Sequence, residues 1–261
     1  MVNVLTPMCL VVFAWQTHPR FPLVVAANRD EWRARPTAAL ARWSDLPVIA
    51  GRDLQAGGTW MGVGRGGRFA ALTNVREPSQ PRAGAPSRGN LVVDCLQDTR
   101  KPAAQLAALA PLAPAYQGFN LLVADDTSLG YYGSQRAEIV DVAAGVHGLS
   151  NHRLNEPWPK VRRATAALAR AIEAETPDVE ALFELLADAE PAPDTELPDT
   201  GVGLELERKL APVLLVGPGY GTRCSTVMLR HASGRIELHE RTRDEAGRVV
   251  GRVVIDVPAA G

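Results

Sequence analysis

Short apolar runs rich in β-forming residues, punctuated by glycine and proline, occur at both ends of the chain and most constrain its fold. They predict antiparallel strands over residues 9–15, 23–27, 58–63, 68–74, 213–216, 222–230, 235–241 and 248–257. A three-strand meander is predicted between them, over residues 119–124, 130–133 and 137–142. So many strands must bury their apolar faces against a further layer.

Helical spacing of apolar residues separates the two groups of strands. Ser87 is the predicted N-cap of the first helix, and Pro177 separates the last two. The helices are predicted over residues 87–98, 102–109, 156–175 and 178–188. Residues 191–200, rich in proline and acidic residues, predict a mobile surface loop. Strands at both ends with helices between them predict an α+β fold of two stacked sheets flanked by helices.

Length and charge limit the classes of partner. The 261 residues are 46% hydrophobic, and we expect one domain that spans residues 1–261. The formal net charge is −1 and no basic run is interleaved with aromatics, so nucleic acid is not an expected partner. No apolar stretch approaches the roughly 18–20 residues of a membrane span, and no signal peptide is predicted. We therefore expect a cytoplasmic protein that binds a small molecule, with the oligomeric state open.

The cysteines and histidines do not form metal-binding motifs. Cys9, Cys95 and Cys224 are odd in number and lack the spacing of a disulfide framework or a zinc site. The five histidines include no pair at helical ligand spacing. The sequence also lacks the GxSxG motif of serine hydrolases. We therefore expect neither a metal site nor a bound cofactor.

Cys9 follows Met8 in an apolar strand and is either a buried core residue or a nucleophile. Free cysteine is among the most buried residue types. If translation starts at Met8, or if residues 1–8 are trimmed, Cys9 becomes the first residue of the chain. Its α-amino group, with an ordinary pKa of about 7.7–8.0, can then take the thiol proton at neutral pH.

The polar cluster Asn28-Arg29-Asp30-Glu31 directly follows an apolar strand. It is either a solvated strand end or part of a site at the rim of the core. A hairpin turn at residues 17–20 would bring this cluster and Cys9 to the same end of the sheet. Arg29 could then hold a substrate carboxylate or lower the pKa of the thiol, and Asp30 could orient a terminal amine.

Three further polar residues and one glycine-rich run have two interpretations each. Asn74 and Asn151 stand where predicted strands end, and each is either an Asx-turn residue or a donor to a tetrahedral oxyanion. Arg223 is either a surface cation or a brace for a thiolate. The glycines of residues 62–67 match a dinucleotide-binding pattern, but a predicted strand follows, so we expect a tight hairpin turn with positive φ.

Eight ordered motifs run through nearly the whole chain. They are Met8-Cys9, Ala27-Asn28-Arg29-Asp30-Glu31, Gly57-Gly58-Thr59-Trp60, Leu72-Thr73-Asn74-Val75-Arg76, Ser87-Arg88-Gly89, Leu149-Ser150-Asn151, Pro157-Trp158-Pro159-Lys160-Val161 and Tyr220-Gly221-Thr222-Arg223-Cys224-Ser225-Thr226. In this order they resemble the NRDE family, the group that includes the transport and Golgi organization protein 2 homologues. The resemblance implies a four-layer αββα sandwich like that of N-terminal nucleophile hydrolases, near the penicillin V acylase and bile salt hydrolase branch.

The resemblance also implies roles for six residues, because a terminal cysteine attacks an amide carbonyl in that branch. The implied roles are the nucleophile for Cys9, its partners for Arg29 and Asp30, amide donors for Asn74 and Asn151, and support of the thiol for Arg223. The branch usually reads Arg-Asn-x-Asp, whereas this chain reads Asn-Arg-Asp. In a regular strand, a shift of one residue turns the arginine to the opposite face of the sheet.

Two functions follow as hypotheses. The leading one is a cysteine-dependent amidohydrolase of the N-terminal nucleophile type, acting on a linear, non-peptide amide. The alternative is a non-catalytic protein on the same fold that binds or moves haem or acyl lipid, as the links of eukaryotic relatives to haem and lipid homeostasis suggest. In that case five tryptophans could line an apolar cleft, although core packing is the usual role of most tryptophans. They are Trp15, Trp32, Trp43, Trp60 and Trp158.

Overall fold

Two antiparallel sheets form the centre of the protein, in a computed structural model that describes residues 9–76 and 84–259. The strands are β1 (Cys9–Trp15), β2 (Leu23–Trp32), β3 (Thr37–Arg42), β4 (Ile49–Asp53), β5 (Met61–Val63), β6 (Phe69–Asn74), β7 (Phe119–Ala124), β8 (Leu129–Gly133), β9 (Glu138–Asp141), β10 (Gly145–Leu149), β11 (Tyr220–Arg230), β12 (Ile236–Arg243) and β13 (Val249–Val257). The helices are α1 (Arg88–Gln97), α2 (Pro102–Leu109), α3 (Pro159–Ala171), α4 (Val179–Leu185) and α5 (Leu204–Leu210). Within the described ranges, the first sheet has the order β10-β1-β2-β11-β12-β13 and the second runs from β3 to β9 in sequence order.

Alternating side chains of the first sheet face two different layers. Val25 and Ala27 of β2 point toward the second sheet, whereas Val24 and Ala26 pack against α3 and α4. On the outer face of the second sheet, α1 and α2 cover β6 and β7. The layers therefore run helix, sheet, sheet, helix, and the predicted four-layer αββα sandwich is confirmed.

The β1–β2 hairpin sets the geometry of the site. Its turn is closed by the Gln16 amide, which donates to the carbonyl of Pro22 at 2.8 Å. From there the register runs back to the pair Cys9 and Arg29. The cysteine and the polar cluster therefore lie at the same end of the first sheet, as the hairpin predicted.

Strand β2 continues through the polar cluster to Trp32, although the sequence predicts a strand end at Ala27. Buried partners satisfy the polar side chains there. The Asn28 amide donates to the carbonyls of Leu186 and Val213, both at 2.9 Å. The cluster is thus buried inside a strand, and the alternative of a solvated strand end is wrong.

Other differences from the predicted elements are local. Residues 213–216 form no strand, and the Thr222 side chain and backbone bond to Leu215 instead. The sequence analysis missed four elements that lack an extended run of β-branched residues or a strong helical period, namely β3, β4, β10 and α5. The meander and the first two helices occur where they were predicted, with ends that differ by one or two residues.

Three of the glycines of residues 62–67 belong to the turn between β5 and β6, namely Gly64, Gly66 and Gly67, whereas Gly62 lies within β5. Gly66 and Gly67 have φ of 64° and 76°, a backbone region that glycine adopts without steric cost. Gly64 lets the turn meet α1, because a Cβ there would lie 1.9 Å from the Leu96 carbonyl oxygen. The prediction of a tight turn with positive φ is confirmed. None of the helices in the described part of the chain is long and apolar enough to cross a membrane.

Candidate active site

A cleft of about 360 Å³ opens where β1, β2 and β6 meet the N-terminus of α1. Among the described residues it is lined by Cys9, Arg29, Asp30, Glu31, Arg35, Asp53, Ala56, Thr59, Trp60, Leu72, Asn74, Ala85, Pro86, Ser87, Arg88, Gly89 and Gln117. Met8 and the residues before it lie outside the described residues. The lining combines a thiol, several charged groups and few large apolar side chains.

The Cys9 thiol lies at the first described position of β1 and is largely buried, since Cys9 is 7% exposed. Its side chain is on the face that looks toward the second sheet, because Val11 and Phe13 on the same face pack there. Burial raises the pKa of the thiol to about 12, and the Asp30 carboxylate adds to this effect. The Arg29 cation and the backbone N–H of Asp30 act in the opposite direction. The thiol of this chain is therefore protonated at neutral pH.

Arg29 lies opposite Cys9 on the neighbouring strand and lines the same cleft. Its guanidinium donates to Thr37 Oγ1 at 3.0 Å and to Glu31 Oε2 at 3.3 Å. The guanidinium carbon also lies 4.3 Å from the centre of the Trp60 ring, within the range of a cation–π contact. The one-residue shift therefore places Arg29 on the thiol's side of the sheet, and Asn28 on the helix side.

The Asp30 carboxylate faces away from the thiol, toward the helices. Thr222 Oγ1 donates to Asp30 Oδ1 at 2.6 Å, while Oδ2 has no hydrogen-bond partner among the described residues. Burial raises the pKa of this carboxyl, and the Lys160 ammonium is the strongest opposing influence. The backbone of Asp30 therefore lies beside the thiol at the border of the cleft. Its carboxylate lies on the helix side of the first sheet.

The two asparagines lie side by side at the ends of β6 and β10. Asn74 lines the cleft, whereas Asn151 is buried behind it and donates from Nδ2 to the Asn74 backbone carbonyl at 2.9 Å. Ser150 Oγ donates to Asn151 Oδ1 at 3.1 Å. Asn151 is therefore placed to brace Asn74, and Asn74 alone of the pair faces the cleft.

Arg223 is directed to the chain segment that follows β2. Its Nη1 donates to three backbone carbonyls, those of Trp32 at 2.9 Å, Arg33 at 3.1 Å and Arg35 at 3.0 Å. A register shift between Thr222 and Cys224 makes Cys224, not Arg223, the partner of Arg29 in β11. Arg223 therefore braces a loop at the edge of the site and does not line the cleft beside Cys9.

Sequence comparison places the chain in a family. A profile of the family described as Transport and Golgi organisation 2 matches residues 8–245. The chain belongs to this family. Its relatives include the Transport and Golgi organization protein 2 homolog of Bos taurus, 35% identical over 258 residues that cover 90% of this chain and 93% of the relative. The human homolog is 32% identical over 257 residues with the same coverage of both chains. The family that the eight motifs indicated is thus confirmed.

The fold of this Transport and Golgi organisation 2 family member also resembles that of a solved hydrolase. A mutant of the conjugated bile acid hydrolase from Clostridium perfringens matches with a TM-score of 0.52 and 10% identity, over 95% of this chain and 92% of that one. At this identity the match shows a shared fold. The predicted likeness to N-terminal nucleophile hydrolases is confirmed at the level of architecture.

Two of the eight motifs contain residues in or beside the cleft to which the sequence analysis gave no role, namely Arg88 and Gly58. Arg88 comes from the first turn of α1, and its Nη1 donates to the Gly118 carbonyl at 2.8 Å. Burial lowers the pKa of this guanidinium to about 10, while negative charge on Cys9 or Glu31 would raise it. Gly58 lets its loop touch the start of α1, since a Cβ there would lie 2.5 Å from the Gly89 carbonyl carbon. The presence of Gly58 and Arg88 in these motifs was the signal in the sequence that could have identified both residues.

Tryptophans contribute little to the cleft. Trp60 lines it, whereas Trp15 packs between the sheets and Trp43 lies under Arg52. Trp32 contacts Tyr220, and Trp158 stacks on His152. Four of the five tryptophans therefore pack against other parts of the chain, in agreement with the usual role of tryptophan, and they do not form one apolar cleft with Trp60.

The three cysteines are free and buried. Within residues 9–76 and 84–259, no group of three or more histidine, cysteine, aspartate or glutamate side chains is arranged to hold a metal ion. The chemical groups that line the cleft are therefore a thiol, guanidinium cations, carboxylates, the amides of Asn74 and Gln117, and the hydroxyls of Thr59 and Ser87.

Proposed function

We propose that this protein is a cysteine-dependent amidohydrolase of the N-terminal nucleophile type that acts on a small, non-peptide amide. The observation that carries the proposal is the position of Cys9, at the start of β1 on the wall of a cleft and opposite Arg29. The shared architecture with a hydrolase supports it. The proposed partner is thus a small-molecule amide, and a cytoplasmic location stays a prediction.

The reaction requires a free amine on Cys9. A backbone amide nitrogen cannot accept a proton, and the buried thiol with a pKa of about 12 does not ionise unaided at neutral pH. In the proposed mature form the peptide bond before Cys9 has been hydrolysed, so that Cys9 carries both the nucleophile and its base. The longer chain would then be a precursor without activity.

The catalytic cycle has two stages. The α-amine takes the proton of the thiol, and the sulfur attacks the amide carbon to form a tetrahedral oxyanion. As that intermediate collapses, the carbon–nitrogen bond breaks, the proton passes from the ammonium to the leaving amine, and an acyl thioester remains on Cys9. Water then attacks the thioester and gives a proton to the α-amine. As the carbon–sulfur bond breaks, the ammonium returns that proton to the sulfur, which restores the thiol, and the carboxylic acid product leaves.

The neighbours of Cys9 have distinct proposed roles. Arg29 favours the thiolate through its charge, as the opposing effects on the thiol pKa indicate. Asn74 supplies an amide donor to the oxyanion, and Asn151 fixes the backbone of Asn74. The removal of one such donor typically costs about 2.7–4 kcal/mol of transition-state stabilisation. Asp30 orients the α-amine, and Arg223 holds the loop after β2.

The lining of the cleft favours a small and polar substrate. Its volume of about 360 Å³ is near the lower end of the roughly 300–1,000 Å³ typical of ligand pockets. Arg35 pairs with Asp53 and Arg29 with Glu31, so that paired charges cover much of its wall. No feature of the described cleft favours the haem or acyl-lipid carrier.

The proposal is tested by amide hydrolysis with matched cysteine variants. Protein whose first residue is Cys9 is incubated with a panel of short acyl p-nitroanilides, and release of p-nitroaniline is followed. Cys9→Ala should abolish release, whereas Cys224→Ala, which removes an equally buried thiol, should retain it. Acid quenching should trap an acyl mass on the peptide that contains Cys9. Release by Cys9→Ala at the wild-type rate would exclude the proposed mechanism.

A further inference from the structure

Two oppositely charged side chains lie buried behind Cys9 without the contacts that buried charges usually have. Asp30 is 0% exposed and Lys160 is 1% exposed. Asp30 Oδ2 and Lys160 Nζ each lack a hydrogen-bond partner among the described residues. Because buried polar atoms in native proteins are nearly always hydrogen-bonded, a pair of exceptions at one place calls for a functional explanation.

The fold brings the two residues together from different layers. Lys160 is the second residue of α3, and it lies on the same buried helix face as Val161, Ala164 and Leu168. That face packs against the helix side of the first sheet, where Asp30 projects from β2. A lysine among apolar residues on a core-facing stripe is costly, since lysine is almost never fully buried without a partner.

The charges around this pair come from several elements. Lys160 is influenced by Arg76, by Asp30 and by Glu207, and also by Cys9. Asp30 is influenced by Lys160, by Arg29 and by Arg33, and its Oδ1 accepts the hydrogen bond of Thr222. Arg76 is itself held by an ion pair with Glu207. Arg33 is partly exposed, whereas Asp30, Lys160, Arg76 and Glu207 are buried, so the charges of these four residues are little screened by solvent.

The effects of the two charges on Cys9 have opposite signs. The Asp30 carboxylate raises the pKa of the Cys9 thiol. Negative charge on Cys9 raises the pKa of Lys160, and by reciprocity the ammonium favours the thiolate. Burial raises the pKa of Asp30 and lowers that of Lys160, which brings both toward neutrality.

We propose that Lys160 and Asp30 form a buried charge pair that sets the ionisation of Cys9 from behind the sheet, so that Lys160 is a positioning residue of a cleft it does not line. This inference rests on the proposed function only in taking Cys9 as the nucleophile. The Lys160 ammonium offsets the Asp30 carboxylate, which would otherwise oppose formation of the thiolate. It likewise opposes protonation of a terminal amine on Cys9, and so keeps that amine available as a base.

The test measures the reactivity of the thiol and needs no substrate. The full chain is treated with iodoacetamide at fixed pH 7, below the pKa of Lys160 of about 8, and alkylation of Cys9 is followed by mass spectrometry of its peptide. Lys160→Met should slow alkylation about threefold, and Asp30→Asn should accelerate it about tenfold, because the Asp30 carboxylate is the strongest charge that acts on the thiol. Lys160→Arg keeps the charge and should stay closer to the wild-type rate than Lys160→Met.

Opposite changes in the alkylation rates of Lys160→Met and Asp30→Asn distinguish this proposal from a purely structural role of the two side chains. If either side chain acted only through packing, both variants would loosen the site and accelerate alkylation. As the pH falls below the pKa of Asp30, the rate of Asp30→Asn should approach that of the wild type, because the wild-type carboxyl becomes neutral as well. Changes of the same sign in Lys160→Met and Asp30→Asn, or no change in either, would overturn the proposal.

The folding of each variant is measured alongside its alkylation rate. Circular dichroism and thermal melting report whether each variant folds. If Lys160→Met does not fold, Asp30→Asn decides alone, and a slower or unchanged alkylation rate would overturn the proposal. A failure of amide hydrolysis leaves these rates unaffected, so the two proposals fail separately.

Discussion

Cys9 and Arg29 are direct partners on neighbouring antiparallel strands, and both line the same cleft. On its other side Arg29 is the register partner of Cys224 in β11. The backbone of Arg29 is thus held between two strands, and its guanidinium is held by Thr37 and Glu31. This relationship places a fixed cation beside the thiol that we propose as nucleophile.

Replacement of Arg29 should make the thiol less reactive. In Arg29→Met the cation that lowers the pKa of Cys9 is lost, while burial and the Asp30 carboxylate remain. We expect iodoacetamide to modify Cys9 about 3–10 times more slowly at pH 8. Arg42→Met, which removes an exposed arginine of β3, is the control and should react at the wild-type rate. Equal rates for the two variants would show that Arg29 does not influence the thiol.

The variant Asp30→Asn should stabilise the protein at neutral pH. Burial raises the pKa of Asp30 in the folded state above its ordinary value, so the folded protein holds this proton more tightly than the unfolded chain. The stabilisation that this proton contributes is complete below the pKa of Asp30 in the unfolded chain. It is lost as the pH rises through the pKa of Asp30 in the folded protein. We expect a gain in unfolding free energy on the order of 1–3 kcal/mol at pH 7 that vanishes near pH 4.

Urea unfolding of the wild type and Asp30→Asn at both pH values measures this difference. Asp45→Asn is the control, because its carboxylate is solvent-exposed and pairs with Arg52 on the surface. A loss of stability in Asp30→Asn at pH 7 would mean that the carboxylate stabilises the folded protein, contrary to the prediction.

Arg88 should favour anionic reagents in the cleft. It donates one hydrogen bond to a backbone carbonyl and has no carboxylate within ion-pair distance among the described residues, whereas Arg35 is paired with Asp53 at 2.7 Å. Arg88→Met should therefore lower the ratio of iodoacetate to iodoacetamide rates at Cys9 by about fivefold. Arg35→Met should change the ratio less. A ratio that responds equally to both variants would indicate a general effect of charge and no special role for Arg88.

The contact between Gly58 and α1 should be intolerant of a methyl group. In Gly58→Ala the new Cβ would lie 2.5 Å from the Gly89 carbonyl carbon, and two backbones would have to separate. We expect a loss of about 1–3 kcal/mol in unfolding free energy. Gly219→Ala meets nothing within 4 Å and should change stability little. Thermal denaturation compares the two, and equal melting temperatures would contradict the predicted clash.

Alternation and turn signals made the layered fold predictable, but not all of its strands. The run from Cys9 to Trp15 is buried on both faces. It was predictable because it is apolar throughout. Strand β10 contains two glycines and a histidine, and it forms because β1 supplies its hydrogen-bonding partner. Such strands depend on long-range pairing that a local pattern does not carry.

The candidate site was predictable where a motif places a side chain in a regular strand. Cys9, Arg29 and Asn74 line the cleft, since the hairpin register and the strand ends fix their positions. Arg223 was not predictable, because an irregularity in β11 turns its side chain to the loop carbonyls. The proposed role of Lys160 was not predictable, because the spacing of apolar residues in α3 indicates only core packing. The burial of the Lys160 side chain, which only the structure shows, is what suggests the role.

The first residue of the mature chain is the most direct test of the account. Intact mass spectrometry of the protein, expressed from its native locus and purified without proteolysis, gives this residue within a single measurement. The account predicts a chain that begins at Cys9. A chain that retains residues before Cys9 and still hydrolyses amides would contradict it, because the thiol would then act without the terminal amine that the mechanism requires.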